Sequence, residues 1–427
     1  MKSRAYRAVD VNRVEAGVWL KERGDSAVYA GLDVGKESIF CTLRWSAGDF
    51  DRPWLVRNPS GVVRLAELLS VVGQGRPLIV AMEPTGTYGD PLRQALDRAG
   101  LLVHRVSPKM ASDYAEVFDG VPSQHDGKDA GVIAELAAQG RSWPWPMPVA
   151  TEEEQELAYQ VEWLDGQRRQ MMLWCGRLEA LLSRHWPEAT RAVPLRSGTL
   201  LRCLKQYGGP RGLAAAPDAV DQLQRWSRQC LSAEKAEALV SGARQTVGVA
   251  MGQWDEERLR RYAEEIHNCH TKMEAAKRRM RELTRNHAVI GAMGEVVGVA
   301  TACVLWVELG DPSTYHCGAA YRKAMGLNLA ERSSGKWQGK LKISKRGSST
   351  VRRWLYLAAL RWVKEEPVHS WYVHQKAQRR GEGKPAVIGV MRKLALALYH
   401  VGGRRRPFDR NQLYANLTAT AVGSNEA

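Results

Sequence analysis

The sequence predicts an α/β domain at the N-terminus, a helical middle region and a mainly α-helical C-terminal domain. Short apolar strands alternate with amphipathic helices over residues 27–142, which is typical of a layered α/β domain. Residues 149–287 contain long runs in which apolar residues recur alternately three and four apart, as in long packed helices. Residues 288–427 combine apolar helices with many basic residues.

The composition is that of a folded, soluble protein with a polyanionic partner. Of the 427 residues, 44% are apolar and 25% are charged, which is ordinary for globular domains. The formal net charge is +16; counted along the chain, residues 1–320 are neutral overall and residues 321–427 carry the whole surplus. A neutral body with a basic last quarter indicates nucleic acid as the partner, with an anionic membrane surface as the alternative.

The cysteines and the apolar runs favour the cytoplasm. Seven cysteines are widely spaced without a Cys-x-x-Cys pair, which argues against a disulfide framework and against a structural zinc site. The basic start of the chain lacks the apolar core of a signal peptide. The longest apolar run, Val296 to Val307, is too short to span a bilayer. We therefore expect a cytoplasmic protein with no membrane partner.

The α/β domain is expected over residues 27–148, after an N-terminal extension at 1–26. Its predicted strands lie at 28–33, 38–45, 54–57, 77–82 and 101–106, and its predicted helices at 62–72, 88–99 and 129–138. The fully apolar strand at 77–82 is typical of a buried parallel sheet. A proline at every second position of Trp143-Pro-Trp-Pro-Met-Pro148 cannot continue a helix, so it predicts a domain boundary.

Four carboxylates lie where such a sheet builds sites. Asp33 is on the first strand, Glu83 follows the apolar strand, and Asp126 and Asp129 bracket the start of the last helix. Sites in open α/β folds form at the carboxyl ends of the strands. Each acid alone is better explained as a turn residue or a helix cap. Together they have the layout of an RNase-H-like nuclease core, in which carboxylates hold magnesium and two metal ions clamp a phosphodiester.

Two heptad-like seams predict two long helices in the middle region, 149–287. The first helix begins with the capping-box pattern of Thr151 and Glu154. The first seam comprises Leu157, Val161, Leu164, Arg168, Met171, Cys175, Leu178 and Leu182. The second seam comprises Leu259, Tyr262, Ile266, Cys269, Met273, Ala276, Met280 and Leu283.

The seams allow two kinds of packing. The helices can pair within one chain as antiparallel neighbours, or they can form a coiled coil that joins subunits, and both can hold together. The insertion between the seams, residues 188–253, is a mixture of helix and loop without an assigned role. His267, Cys269 and His270 resemble metal ligands, but they lie on the second helix, where the cysteine belongs to the seam. We therefore reject a metal site there.

A polar, basic stretch in the last domain carries Ser333 and Ser334 just before Gly335. The ordinary interpretation is a solvated turn whose hydroxyls and lysines touch a phosphate backbone. The sharper hypothesis makes one serine a nucleophile on a phosphodiester, which needs a base or a metal ion to activate it. The basic side chains expected to contact nucleic acid are Arg332, Lys336, Lys340, Lys342, Lys345, Arg346, Arg352 and Arg353.

Taken together, these motifs resemble the DEDD-type insertion-sequence transposases, the group of bridge-RNA-guided recombinases related to Piv-type invertases. The resemblance covers most of the chain. The acidic motifs that carry it are Gly31-Leu-Asp-Val-Gly-Lys-Glu, Met82-Glu-Pro-Thr-Gly-Thr-Tyr and Asp126-Gly-Lys-Asp-Ala. The C-terminal motifs are Gly326-Leu-Asn-Leu, Ser333-Ser-Gly335, Ile343-Ser-Lys-Arg-Gly347, Met391-Arg-Lys-Leu-Ala-Leu-Ala-Leu-Tyr and Pro407-Phe-Asp409.

The resemblance implies a chemistry and a set of partners. The four acids would bind Mg²⁺ or Mn²⁺ in a RuvC-like, RNase-H-like domain. Ser334, with Ser333 as its rival, would attack the DNA backbone and form a transient covalent link. The implied partners are double-stranded donor and target DNA, a structured guide RNA and further copies of the chain in a dimer or tetramer. The implied location is the bacterial cytoplasm, at the nucleoid.

Three classes of function fit these residues. The first is a DNA recombinase that uses a serine and metal ions. The second is a metal-dependent, RuvC-like, structure-specific DNA nuclease that uses water, in which the serines are structural. The third is a nucleic-acid-binding protein with an inactive core, against which the intact acids argue. A covalent protein–DNA intermediate distinguishes the first class from the second.

Overall fold

The computed structural model describes residues 7–15, 17, 20, 23, 25–84, 86–120, 125–147, 150–331, 339 and 341–409. The chain divides into two compact units, residues 1–149 and 150–427. Each unit has hydrophobic cores of its own, built from side chains of that unit alone.

The first unit is built on a mixed seven-stranded sheet, which confirms the predicted α/β class. Its strands are β1 (Val9–Asp10), β2 (Val28–Val34), β3 (Ser38–Trp45), β4 (Trp54–Arg57), β5 (Leu78–Met82), β6 (Val103–Arg105) and β7 (Trp143–Pro144). Their spatial order is β1-β4-β3-β2-β5-β6-β7. The pairs β1–β4, β2–β5 and β5–β6 are parallel, whereas β2–β3, β3–β4 and β6–β7 are antiparallel.

Both edge strands lie where the sequence predicts none. β1 lies in the stretch that we expected to be an N-terminal extension, and it pairs with β4. β7 lies in the proline-rich stretch and pairs with β6. Prolines are tolerated there because the strand is at an edge, and because the residues between them keep their amides. Trp145 N–H donates to the Val103 carbonyl oxygen at 2.7 Å.

Helices cover both faces of this sheet. They are α1 (Val62–Val72), α2 (Asp90–Arg98), α3 (Pro108–Phe118) and α4 (Asp126–Ala138). α1 and α2 pack on the face to which Val28, Ala30 and Leu32 point. α3 and α4 pack on the opposite face, to which Tyr29 points. Successive residues of β2 therefore contact helices on opposite faces of the sheet, because neighbouring side chains of a strand point in opposite directions.

An antiparallel helix pair forms the axis of the second unit. α5 (Glu152–His185) and α11 (Gln253–Leu283) pack against each other along the two predicted seams. Thr151 and Glu154 form the predicted capping box. Arg279 pairs with Glu156 at 2.6 Å near one end of the pair, and His185 lies 3.8 Å from Asp255 at the other. The seams thus face each other within one chain; a coiled coil between subunits stays a prediction.

The insertion at 188–253 folds onto the far end of this pair. It contains five helices: α6 (Ala189–Ala192), α7 (Gly198–Tyr207), α8 (Pro210–Ala215), α9 (Ala219–Trp226) and α10 (Ala233–Arg244). Their apolar sides share one core with Leu178 and Leu182 of α5 and with Leu259 and Ile266 of α11. The insertion is therefore an ordered helical cap on the end of the pair.

The last domain surrounds the opposite end of the pair. Its elements are α12 (Ala288–Val297), α13 (Val299–Leu309), α14 (Gly318–Ala324), β8 (Leu329–Ala330), β9 (Lys342–Ile343), α15 (Ser349–Trp362), α16 (Val368–Gln378) and α17 (Lys384–Leu398). β8 and β9 form an antiparallel ribbon. The helices share a core with Leu157 and Val161 of α5 and with Met280 of α11, which confirms the predicted, mostly helical C-terminal part.

Among the described residues, one helical segment, Lys384–Gly403, is long and apolar enough to cross a bilayer. The structure gives this segment another role. Its Val390, Leu394 and Leu398 side chains are buried in the C-terminal core. This burial is what a central helix of a globular unit shows.

Candidate metal centre

The register between two parallel strands brings the first two acids together. Leu32 of β2 pairs with Met82 of β5. Asp33 is the next residue of β2, and Glu83 is the residue directly after β5. The two acids therefore lie side by side at the carboxyl edge of the sheet. This edge is where α/β sheets form their sites, and the sequence predicts both acids there.

A close contact between β2 and α4 brings the other two acids to the same edge. A Cβ atom on Gly31 would lie 2.0 Å from the Ala130 carbonyl oxygen and 2.4 Å from the Ala134 nitrogen. Because any larger residue would collide with the helix backbone, the glycine lets α4 lie directly on the strand. The first turn of α4, which carries Asp126 and Asp129, is thereby placed beside Asp33.

Two side chains of β3 fix the same helix to the sheet. Thr42 Oγ1 donates to the Gly127 carbonyl oxygen at 3.3 Å, at the start of α4. Arg44 Nε donates to a Glu135 carboxylate oxygen at 2.6 Å, near its end. Since the helix is held at both ends, the positions of its two acidic residues are fixed before any ligand binds.

Three of the four predicted acids form a compact triad. Carboxylate oxygens of Asp33, Asp126 and Asp129 all lie within 4.8 Å of one another, a separation at which one metal ion can contact all three. Glu83 is not part of this triad, but the charges of Asp33 and Asp129 act on it. The donor set consists of oxygen alone, which is what hard divalent cations such as Mg²⁺ prefer.

The electrostatics of the acids favour a bound cation. Burial, followed by the charges of Asp129 and Asp126, raises the pKa of Asp33 to about 6. Burial and the charge of Asp126 raise the pKa of Asp129, although Lys128 and His125 oppose the change. Burial and the neighbouring acids also raise the pKa of Glu83. A divalent ion would relieve this repulsion between like charges.

A buried lysine beside the acids is a feature that our sequence reasoning missed. The Lys128 side chain is only 2% exposed, and its Nζ lies 2.8 Å from a carboxylate oxygen of Asp119, just after α3. Lysine is almost never fully buried unless it is paired. The pair ties the first turn of α4 to the end of α3, so Lys128 is a positioning residue for the acids on either side of it.

The predicted nucleophile, Ser334, belongs to a stretch outside the described residues. Ser333 and Ser334 lie outside the described residues, as do Arg332, Lys336 and Lys340. The ribbon of β8 and β9 flanks this stretch. Of the remaining predicted basic residues, three are exposed on or just after β9: Lys342, Lys345 and Arg346.

The other two predicted nucleic-acid contacts have partners within the chain. Arg352 donates through Nη1 to the carbonyl oxygens of Gly347 at 2.8 Å and Met325 at 3.4 Å. Arg353 forms an ion pair with Asp165 of α5. Both arginines thus hold α15 to neighbouring segments, and their direct contact with nucleic acid stays a prediction.

Asp165 is the centre of an arginine cluster on α5. Its two carboxylate oxygens also accept from Arg168 at 3.2 Å and from Arg169 at 3.0 Å. Burial opposes its ionisation, yet the hydrogen bond from Arg168 and the three positive charges hold the pKa of Asp165 below its usual value. The predicted seam residue Arg168 is therefore bound to this acid, and the neighbouring Gln167 is buried instead.

Comparison with known proteins gives two matches to family models. A model of the DEDD transposases of IS110, described as "Transposase", matches residues 30–187. A second, described as "Transposase IS116/IS110/IS902 family", matches residues 295–374. The first match includes all four acids, and the second includes the β8–β9 ribbon and the stretch with the two serines.

A curated protein and a solved structure are also similar. The "Insertion element IS110 uncharacterized 43.6 kDa protein" of Streptomyces coelicolor is 22% identical over 393 residues, or 88% of this chain and 94% of that protein. A structure of T. thermophilus RuvC in complex with a Holliday junction substrate is 18% identical and covers 28% of this chain and 99% of that chain, with a TM-score of 0.22. The two family matches and the Streptomyces relative place the chain in the IS110 family of transposases.

Proposed function

We propose that the protein cuts and rejoins DNA strands with a divalent-metal-dependent acidic centre and a serine nucleophile. The observation that carries the proposal is the triad of Asp33, Asp126 and Asp129, whose oxygens gather within 4.8 Å at the carboxyl edge of the mixed sheet. With Glu83 beside it, this centre offers four carboxylates. The membership of the IS110 family supplies the reaction class, which is DNA strand transfer.

The acids have a definite task in this chemistry. A Mg²⁺ or Mn²⁺ ion bound there would neutralise charge that develops on the scissile phosphate. Asp33 and Glu83 hold the sheet side of the centre, and Asp126 and Asp129 hold the helix side. Gly31 and Thr42 hold α4 on the sheet, and Lys128 ties its first turn to the end of α3. These carboxylates therefore keep their geometry without reorganisation during the reaction.

The nucleophile that we propose is Ser334, with Ser333 as its rival. Its Oγ would form a bond to phosphorus while the bond from phosphorus to the leaving DNA oxygen breaks. The serine proton passes to a base, and the leaving oxygen takes up a proton. A DNA hydroxyl then attacks the phosphoserine and releases the serine. Since one phosphodiester replaces another, rejoining needs no external energy source, and the single transfer is divided into two easier steps.

The proposed partners are donor and target double-stranded DNA, a structured guide RNA and further copies of the chain in a dimer or tetramer, in the cytoplasm of a bacterium. The surplus of positive charge in residues 321–427 supports a polyanionic partner. The guide RNA and the oligomer rest on the resemblance to the bridge-RNA-guided recombinases. No membrane partner is proposed, because the apolar helix at 384–403 is used by the core.

Trapping a covalent adduct tests the proposed chemistry. The full chain is incubated with Mg²⁺ and a nicked DNA substrate, denatured, and analysed by mass spectrometry. We expect a DNA adduct on Ser334 that is absent from Ser334→Ala, while Ser333→Ala keeps some activity. An adduct on Ser333 would move the assignment by one residue. Metal-dependent cleavage without any adduct would instead support the water-using nuclease.

A further inference from the structure

The helical insertion forms two adjoining cavities against α11. The larger one, of about 1020 Å³, lies between the starts of α7 and α10 and the middle of α11. The smaller one, of about 560 Å³, lies on α7 beside Trp226. Leu201 and His267 line both cavities, so the two lie side by side. We call them together the basic trough.

The charged side chains that line the trough are all basic or histidine. Its basic side chains are Arg196, Lys235, Arg202 and Lys205, and His267 and His270 stand on the α11 side. Among the described residues that line either cavity, none is an aspartate or glutamate. Gathering like charges without a counter-charge costs free energy, so this arrangement favours an anionic ligand.

Three of the four basic residues are available to a ligand. Among the described residues, no carboxylate pairs with Arg196, Arg202 or Lys235, all of which are exposed. Lys205 contacts Glu264 at 3.4 Å. Exposed and unneutralised cations of this kind bind phosphate groups and release the condensed counterions of a nucleic acid.

The floor of the trough is apolar. Met171, Leu201, Leu231 and Ile266 line it below the basic rim. In the smaller cavity Trp226 offers an aromatic side chain, which is held by Tyr207 with ring centroids 6.1 Å apart. An apolar or aromatic floor beneath basic side chains suits a base that is free of its pairing partner, with its phosphate at the rim. In a duplex the faces of the bases are stacked on one another, so they cannot lie on such a floor.

We propose that the basic trough binds an unpaired stretch of a nucleic-acid strand. The bases would lie on the apolar floor and against Trp226, and the phosphates would contact Arg196, Arg202 and Lys235. This inference rests on the proposed function in one respect, which is that the partner is a nucleic acid. It gives the insertion a binding role that is separate from catalysis at the acidic centre. Single-stranded RNA and single-stranded DNA share this chemistry, and they are separated by experiment.

Fluorescence anisotropy of the full chain with a labelled single strand of about a dozen nucleotides tests the proposal. Arg196→Ala/Lys235→Ala should bind roughly 10-fold more weakly, and its plot of log affinity against log salt should be shallower by about 1.4, because each lost phosphate contact removes about 0.7. The matched control is Arg184→Ala/Arg244→Ala. These two residues are exposed, belong to the same unit and line neither cavity, so the control variant should retain the wild-type salt slope.

The competing outcomes are distinct. Equal losses in both double variants would mean that only net charge matters and would overturn the proposal. Competition by a blunt duplex as effective as that by the single strand would overturn it as well. Parallel titrations with oligo-U and oligo-dT identify the preferred strand. If Arg196→Ala/Lys235→Ala bound the single strand as tightly as the wild type, the proposed role of the trough would be wrong. The proposed function would still hold if strand cleavage depended on Asp33.

Discussion

Gly31 on β2 and Ala130 on α4 approach so closely that no side chain fits between them. A Cβ at residue 31 would lie 2.0 Å from the Ala130 carbonyl oxygen. The geometry of the acidic centre therefore depends on the absence of a Cβ atom at residue 31. The glycine is what allows a helix that carries two of the acids to lie against the strand that carries a third.

Replacing this glycine should damage both the fold and the centre. Gly31→Ala should lower the free energy of unfolding by roughly 1–3 kcal/mol, because overpacking forces the helix backbone to shift. It should also weaken Mn²⁺ binding, measured by calorimetry, since the triad spreads. The control is Gly166→Ala, where no described residue outside the adjoining turns of α5 comes within 4 Å of the added Cβ and where alanine should stabilise α5 by up to ~1 kcal/mol. A stable Gly31→Ala variant with normal Mn²⁺ affinity would contradict the packing argument.

Removing carboxylate charge should abolish the metal-dependent activity without unfolding the chain. Asp33→Asn and Glu83→Gln keep the shape of the side chains but lose the charge that holds a cation. We expect cleavage to fall by at least roughly 100-fold and the melting temperature to stay within a few degrees of the wild type. Asp113→Asn removes an exposed acid whose one ionic partner within the described part of the chain is Lys109 on the same helix, and it should remain active. Cleavage by wild type in the presence of a chelator would refute the metal requirement.

The affinity of the centre for metal should depend on pH. Since the pKa of Asp33 is raised to about 6, this acid carries a proton in the metal-free protein below that pH. Metal must displace the proton, so affinity should fall about tenfold for each pH unit below 6. Calorimetric titration with Mn²⁺ at several pH values measures the slope. An affinity that stays constant between about pH 5 and pH 7 would contradict the raised pKa.

The same shift should appear in the stability of the metal-free protein. The pKa of Asp33 in the folded state, about 6, lies above its ordinary value of 3.8. Folded protein therefore binds more protons than unfolded protein between these values, and stability falls as pH rises through this window. Thermal melts in chelator should show this loss, and Asp33→Asn should show less of it. If both proteins lost equal stability, another group would be responsible.

Breaking the buried ion pair beside the centre should destabilise the first unit. Lys128→Met leaves Asp119 partly buried without its lysine, and we expect a loss of roughly 3–5 kcal/mol in chemical denaturation. The double variant Lys128→Met/Asp119→Asn should lose less than the sum of the two single variants, because the two residues are coupled. Strict additivity would show that the 2.8 Å contact contributes nothing of its own.

The sequence predicts the elements that have strong local signals. β3, β4 and α1 have the predicted bounds, because apolar periodicity and turn residues mark both of their ends. The acids at the sheet edge could be predicted for a similar reason: strand ends are visible in a sequence, and the carboxyl ends of parallel strands meet at one edge. The capping box at Thr151 is equally local, since it spans only the four residues from Thr151 to Glu154.

Most of the features that were missed depend on contacts distant in sequence. α3 is the exception, because Met110, Tyr114 and Phe118 recur every four residues and pack against the core around Ala111, a helical pattern that the sequence itself contains. β1 is two residues long and exists because β4 offers it an edge. The sequence alone indicates a solvent-exposed charge at Lys128, because only the tertiary fold brings Asp119 next to it. The pairing of the two seams within one chain also needed the structure, since a heptad pattern does not identify its partner helix.

The length of the α5–α11 pair has a geometric consequence. With about 1.5 Å per residue, the 31 residues of α11 span roughly 45 Å, and the two ends belong to different cores. The pair is thus a strut that fixes how far the insertion stands from the basic last domain. Deleting seven residues from each helix would bring the two about 10 Å closer and turn one against the other by only ~20°. Deleting four residues from each helix would instead turn the insertion relative to the last domain by about 40° in the opposite direction. The two helices therefore set the relative orientation of the insertion and the last domain as well as the distance between them.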